Sequence, residues 1–381
     1  MDYELTILMP CLNEAETLGI CIQKAKDFLK TYNIQGEILV ADNGSNDGSP
    51  DIARAHGANL ISVSTKGYGA ALKSGIKAAK GRYIVMGDAD DSYDFLNLMP
   101  FLTKLREGYA LVMGNRFKGG ICKGAMPFLN RFLGNPVLSF IGRTFFRSTL
   151  GDFHCGLRGF DRDTFLQLDL QGDGMEFASE MIIKASLNKI KTTEVPIRLF
   201  PDGRSRQPHL RPWRDGWRHL RLLLLFSPQW LFFIPGLTLI TLGLILMSLL
   251  AIGPLKIGHA TFDIHTILLS SVLTIIGVQA VFFSVFAQYV QSVRFSVKPS
   301  KLIRTFTLER GLAIGLTLLT TGSAIILWEI YHWAKLGFGH LAPTEIMRLL
   351  IPSSMFLIIG MQFIFGSFFM SLLNVYHQKS D

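Results

Sequence analysis

The chain has 381 residues, 49% of them hydrophobic, with a mean hydropathy of +0.32 and a formal charge of +9. That length suggests two structural units, and the hydropathy is too high for a purely soluble protein. Seven arginines crowd between Arg198 and Arg221, beside the start of the apolar half, so the positive balance reads as a membrane-surface or lipid-phosphate patch rather than a nucleic-acid site.

In chain order, Leu5–Met9 is an apolar run closed by Pro10 and predicts a buried strand. Apolar residues at helical spacing over Thr17–Tyr32 predict a helix. Strands and helices then alternate through Glu37–Ala41, Ser49–His56, Leu60–Val63, Ala70–Ala79 and Tyr83–Gly87. Alternation with tight turns predicts an α/β domain over residues 1–210, a mostly parallel sheet covered on both faces.

Residues 211–228 read as a juxtamembrane amphipathic helix. Trp213, Trp217, Leu220 and Leu224 recur at helical spacing, with Arg211, Arg214, Arg218 and Arg221 on a neighbouring face. A helix lying in the membrane interface has this pattern, and a simple positive-inside anchor is compatible with it.

Residues 229–381 read as a transmembrane domain with four spans, Trp230–Ile252, Ile264–Val290, Leu312–Tyr331 and Ile346–Tyr376. Each reaches the roughly 20 residues needed to cross about 30 Å of hydrocarbon. Trp230, Tyr289, Trp328, Tyr331, Trp333 and Tyr376 sit near span ends, where amphipathic rings favour the headgroup layer. Arg294, Lys298, Lys301, Arg304 and Arg310 lie between the second and third spans. The other loops carry only Lys256, and Lys335 with Arg348. The positive-inside rule then expects the first domain, the middle loop and the C-terminus in the cytosol. The start Met-Asp-Tyr-Glu lacks the basic region of a signal peptide, which agrees. Cys11, Cys21, Cys122 and Cys155 show no CxxC spacing, so neither a zinc site nor a disulfide framework is expected.

Ligands of parallel sheets bind beyond the carboxyl ends of the strands. After the first predicted strand comes Pro10-Cys11-Leu12-Asn13-Glu14, and after the second Asp42-Asn43-Gly44-Ser45-Asn46-Asp47-Gly48-Ser49. Asp88-Ala89-Asp90-Asp91 follows the fourth. Turn chemistry accounts for Asn43-Gly44 and Asp47-Gly48. It does not account for Asp88 and Asp90, which come just after the apolar run Tyr83–Met86. Two hard oxygen ligands at a strand end suit Mg²⁺ or Mn²⁺, with phosphate and water completing the shell; a capped turn is the plainer alternative.

These segments, together with Lys66-Gly67-Tyr68-Gly69-Ala70-Ala71, Gly114-Asn115-Arg116, Asp152-Phe153-His154-Cys155-Gly156-Leu157-Arg158 and Gly203-Arg204-Ser205-Arg206, resemble the successive motifs of family 2 glycosyltransferases with the GT-A fold. The series is similar to the polyprenyl-phosphate branch, the dolichyl- or undecaprenyl-phosphate mannose and glucose synthases, over about residues 4–221. The resemblance implies metal-dependent, inverting transfer of one hexose from a UDP- or GDP-sugar to a polyprenyl phosphate at the cytosolic membrane face. It implies that Pro10, Asn13 and Glu14 line the nucleotide pocket, that Asp42 contacts base or ribose, and that Lys66 and Gly69 lie near ribose and phosphates. Asp88 and Asp90 would hold the metal at the donor diphosphate, with Ser92 a poor third ligand. Arg116 and Arg131, with Arg204, Ser205 and Arg206, would face the lipid phosphate.

The chemistry is consistent with those residue types. A phosphate monoester has a second pKa of about 6, so it is already anionic enough to attack without a strong general base. It does need fixed cations to approach a second phosphate group, and arginine offers bidentate, permanently charged contacts. The expected partners are therefore a nucleotide sugar, a lipid phosphate and the membrane, with room for a homo-oligomer. A processive polysaccharide synthase is one alternative, but the segment Gln207–Trp213 has the wrong spacing for a QxxRW signature. A non-enzymatic flippase or sensor component is another, and it would not need Asp88, Asp90, Arg116 and Arg131 intact. Glu176 and Glu180 read equally as acids supporting the site or as helix-dipole partners, His154 as a packed residue and Glu329 as interfacial.

Overall fold

The computed structural model describes residues 3–205, 212–294, 303–304, 306–340 and 342–378. Arg206, Arg211, Lys298 and Lys301, singled out above, lie outside the described residues. The chain forms two compact units, Met1–Phe226 and Ser227–Asp381.

In the first unit β1 (Tyr3–Cys11), α1 (Leu18–Thr31), β2 (Gly36–Asp42), α2 (Ser49–Ala55), β3 (Asn59–Ser62), α3 (Tyr68–Ala78) and β4 (Gly81–Met86) follow the predicted alternation. Then come α4 (Met99–Arg106), β5 (Leu111–Asn115) and the single turn α5 (Arg116–Gly119). A π-helical turn at Asn130–Gly134 runs into α6 (Asn135–Phe146). The unit closes with β6 (Arg158–Asp161), α7 (Arg162–Gln167), α8 (Phe177–Leu187), β7 (Thr192–Pro196) and α9 (Pro212–Leu225).

The seven strands are ordered β3-β2-β1-β4-β6-β5-β7. Only β6 runs antiparallel to its neighbours. Helices cover both faces, so Leu5, Ile7, Leu8 and Met9 of β1 are all fully buried, and the strand reads as a continuous apolar run instead of an alternating one. Removing Ile7 or Leu8 to alanine would cost about 2–5 kcal/mol. Parallel register sets the functional rim: Cys11 pairs with Asp42 and Leu8 with Met86, which brings the residues after β1, β2 and β4 to one level.

The second unit holds α10 (Ile234–Ala251), preceded by a π-helical turn at Gln229–Phe233. A hairpin of β8 (Leu255–Ile257) and β9 (Ala260–Phe262) leads to α11 (Ile264–Arg294), followed by α12 (Leu308–Lys335) and α13 (Pro343–Gln378). Among the described residues four helices, Gln229–Ala251, Ile264–Val293, Leu308–Lys335 and Pro343–Val375, are long and apolar enough to cross a membrane. They pack pairwise through small residues: a Cβ on Gly277 would lie 2.6 Å from the Gly236 carbonyl, so α10 and α11 touch backbone to backbone. Arg348 joins Asp263 and the Leu250 carbonyl, linking helix ends within this unit.

Candidate active site

The loops after β1 and β2 hold each other. Asn13, in the left-handed region at φ 58°, donates its N–H to Ser45 Oγ at 2.8 Å and accepts from the Asn46 N–H at 2.9 Å. Glu14 N–H donates to Ser49 Oγ at 2.9 Å. Asp42 is buried and accepts from the backbone of Gly44 and Ser45, closing the turn. Asn43 takes the Gly67 N–H at 2.7 Å, and its carbonyl accepts from Lys66 Nζ at 2.8 Å. A Cβ on Gly67 would meet the Asp173 carbonyl oxygen at 2.1 Å and one on Gly69 the Gly172 carbonyl oxygen at 2.3 Å, so the two glycines admit the backbone of Gly172 and Asp173.

Beyond β4, Asp88 Oδ1 accepts from Tyr68 Oη at 3.0 Å. Burial, then the charge of Asp90, pushes the Asp88 carboxyl up to about 6. Burial, then Asp88, also holds the Tyr68 phenol well above its usual value, so it stays a donor. Asp90 uses both oxygens: Oδ1 accepts from Ser92 Oγ at 2.5 Å and Oδ2 from Arg204 Nη2 at 2.8 Å. Arg204 also reaches Glu14 Oε1 at 3.0 Å and Asp202 Oδ2 at 2.9 Å.

Two cavities open on this pair. The smaller, about 520 Å³, is lined among others by Pro10, Glu14, Lys66, Gly67, Arg214 and Arg218. The larger, about 690 Å³, is lined by Arg116, His154 and His219 together with the apolar Met126, Pro127 and Leu138. Asp88, Asp90, Met175, Arg204 and Asp215 line both.

Of the residues picked from sequence, Pro10, Glu14, Lys66, Asp88 and Asp90 meet at the smaller cavity; Asn13, Asp42 and Gly69 do not line it, the first two bracing the loops after β1 and β2 and Gly69 packing α3 against the Gly172 carbonyl. Arg116 and Arg204 line the larger cavity. The Arg116 fork is already held by buried Asp152, Nε and Nη2 donating at 2.7 and 2.8 Å. Arg131 is half-buried over the Phe132 ring, beside Asn130, which does line the cavity. Ser205 donates to Glu16 at 2.5 Å. Glu180 pairs with Lys184 at 2.8 Å and accepts from the Gln171 and Gly172 N–H groups, a structural role. Arg158, fully buried, donates to the Cys155 and Ala178 carbonyls.

Some features were missed in the sequence. His219 is buried on α9, its Nδ1 2.8 Å from Ser179 Oγ, which lies 3.3 Å from His154 Nε2. Phe128, Leu129, Phe132, Leu133, Val137 and Phe140 form an exposed apolar face leading into and along α6; their helical spacing is broken to the eye by Pro127, Gly134 and Pro136.

Asp88 and Asp90 fit a single Mg²⁺ or Mn²⁺ that takes its remaining oxygens from phosphate and water, since a cation there would offset both the burial of the Asp88 carboxylate and its repulsion by Asp90. Among the described residues no group of three or more His, Cys, Asp or Glu forms a complete cage.

An acid-rimmed cleft at the strand ends of an α/β unit, followed in the chain by helices long and apolar enough to cross a membrane, defines a membrane protein with a candidate active site in its first unit. Residues 6–168 match the glycosyl transferase family 2 domain and residues 294–374 the family 2 C-terminal transmembrane region. The chain is 37% identical to the low-salt glycan biosynthesis hexosyltransferase Agl6 of Haloferax volcanii, over 97% of this chain and 89% of that one. A dolichyl-phosphate hexose transferase of the same organism is 30% identical over 51% of this chain and 82% of its own length. Glucosyl-3-phosphoglycerate synthase from Mycobacterium tuberculosis, solved with Mn²⁺, UDP and glucosyl-3-phosphoglycerate, aligns at 20% identity and a TM-score of 0.45, over 59% of this chain and 78% of that one. The chain belongs to glycosyl transferase family 2, and it is an integral membrane glycosyltransferase whose first unit has the GT-A arrangement.

Proposed function

We propose that this glycosyltransferase moves one hexose from a UDP- or GDP-sugar to a polyprenyl phosphate at the cytosolic face of the membrane, with inversion at the anomeric carbon. The observation that carries the reading is that Asp88, Asp90, Met175, Arg204 and Asp215 line two cavities, one flanked by Lys66, Arg214 and Arg218, the other by Arg116 with Met126, Pro127 and Leu138. A donor diphosphate suits the first, and a phosphate on an apolar chain suits the second. The exposed apolar face from Phe128 to Phe140, with Trp213 and Trp217, supports a lipid acceptor.

When bound, a divalent ion at Asp88 and Asp90 would supply the positive charge that the departing nucleoside diphosphate needs. Tyr68 orients Asp88, while Ser92 and Arg204 orient Asp90, so the acidic pair is fixed before substrate arrives. Arg116, held rigid by Asp152, offers its remaining N–H groups and its charge to the acceptor phosphate in the larger cavity. A covalent route through Cys11, which lines the smaller cavity, is disfavoured because burial pushes its thiol up to about 11.

The test is transfer by purified full-length protein from radiolabelled UDP- and GDP-sugars to a polyprenyl phosphate, with and without Mn²⁺. Metal-dependent label in the lipid phase, as one sugar per lipid, is expected. A ladder of product sizes would favour a polymerising synthase, and label absent from lipid with every donor would overturn the reading.

A further inference from the structure

Helix α9 presents three faces, each spaced by four residues. Asp215, His219 and Leu223 are buried, and His219 is fixed by the hydrogen bond to Ser179 and by an edge-on contact with His154, ring centres 4.5 Å apart. Trp213 and Trp217 point to the outside, 80% and 60% exposed. Arg214 and Arg218 line the smaller cavity, together with Lys66, Asp88, Asp90 and Arg204.

From sequence, Arg214 and Arg218 belong with Arg221 in one row at headgroup level. The fold separates them, because Arg221 is exposed and lines neither cavity. The electrostatics of the smaller cavity give this separation a purpose. Its wall carries Glu14, Asp88, Asp90 and Asp215, so an incoming diphosphate meets strong repulsion there. Arg204 is shared among Glu14, Asp90 and Asp202, and Lys66 donates to the Asn43 carbonyl. Arg218 comes no closer than 4.0 Å to Asp215, and Arg214 is exposed at the cavity wall.

We propose that Arg214 and Arg218 are donor-binding residues, and that α9 reaches over the smaller cavity to grip the diphosphate of a nucleotide sugar with two guanidinium groups. Asp215 and His219 act as positioning residues, holding the helix at the rotation that turns these arginines inward. The inference rests on reading the smaller cavity as the donor's. It assigns to α9 a substrate contact as well as an outward tryptophan face.

The experiment is calorimetric titration of UDP and GDP, with Mn²⁺ and no lipid acceptor, into full-length protein in detergent. Wild type, Arg214→Gln, Arg218→Gln, the double variant and Arg221→Gln are compared, with the matching nucleoside as a ligand lacking phosphate. Loss of one charge-assisted contact should weaken diphosphate binding about tenfold in each single variant, and further in the double. Nucleoside binding and the melting temperature should not change, Arg221→Gln should bind as wild type, and Arg214→Lys should recover part of the loss. Wild-type affinity in both Arg214→Gln and Arg218→Gln would overturn the proposal and return these arginines to the headgroup patch. An equal loss in Arg221→Gln would overturn it too, since the effect would then be the net charge of the helix. Failure of wild type to bind either diphosphate would instead remove the donor reading itself.

Discussion

Arg204 Nη2 lies 2.8 Å from Asp90 Oδ2 while its Nη1 lies 3.0 Å from Glu14 Oε1. One guanidinium thereby joins the loop after β4 to the loop after β1, across 114 and 190 residues of sequence. With its side chain only 12% exposed, Arg204 neutralises two acids that would otherwise repel.

Asp90→Ala should therefore separate catalysis from folding. Arg204 keeps Glu14 and Asp202, so the variant should remain folded, while transfer falls by about a thousandfold or more and excess Mn²⁺ does not restore it. Arg204→Ala should do both, removing the one guanidinium shared by Glu14, Asp90 and Asp202 and lowering stability by about 3 kcal/mol. Circular dichroism melts beside transfer assays check the pair; near-normal turnover in Asp90→Ala refutes the metal assignment.

Arg116 and Arg131 should part company in the same way. Arg116→Ala strands Asp152, fully buried, and should destabilise the first unit by about 3–5 kcal/mol. Arg131 is half-buried against Phe132, so Arg131→Ala should shift stability by under about 0.5 kcal/mol. It should raise the KM for lipid phosphate about tenfold with donor affinity unchanged. Equal loss of donor affinity would move Arg131 to the other substrate.

Acid should act on stability through two opposed groups. Burial holds His219 down to about 4 and His154 well below its usual value. Below the ordinary histidine value of about 6.5 the unfolded chain takes up protons that the folded one refuses, so this contribution is lost as pH falls toward 4, on the order of 3 kcal/mol for His219. Asp88 has the opposite sign: raised to about 6, it favours the folded state at low pH and loses that contribution as pH rises through 6. Melts in EDTA should show His219→Gln flattening the acid side and Asp88→Asn steepening the gain in stability between about pH 4 and 6, since the opposing loss is gone; a His219→Gln curve parallel to wild type would refute the first assignment.

Two glycines make a matched test of packing. Gly69→Ala drives a Cβ to within 2.3 Å of the Gly172 carbonyl oxygen and should cost about 2 kcal/mol or more. Gly216, inside α9, has nothing within 4 Å of its added Cβ, and Gly216→Ala should raise stability by up to about 1 kcal/mol. Melting temperatures moving in the same direction would contradict this account.

The first four strands were legible because each is a short, largely apolar run ending near a chemically distinct residue, Pro10, Asp42, Ser64 or Asp88, although β1 itself runs on through Pro10 to Cys11. Strand β6 was not. Arg158-Gly159-Phe160-Asp161 has one large apolar side chain, and its place between β4 and β5 depends on distant pairings such as Ile84 with Phe160. The acidic rim could be located from strand ends alone. The partners of Arg204 and the inward turn of Arg214 and Arg218 could not, since both depend on how the chain after β7 returns to the sheet. Helical spacing revealed that α9 has distinct faces, but it could not say which of them met a cavity.

The five residues common to both cavities also bear on the order of events. On the proposed reading, adjoining donor and acceptor cavities would let either substrate load first and hold both at transfer, with no sugar parked on the protein between them. Initial-velocity plots against one substrate, at several fixed levels of the other, would then intersect, and spent nucleotide could depart while the glycosylated lipid is still seated.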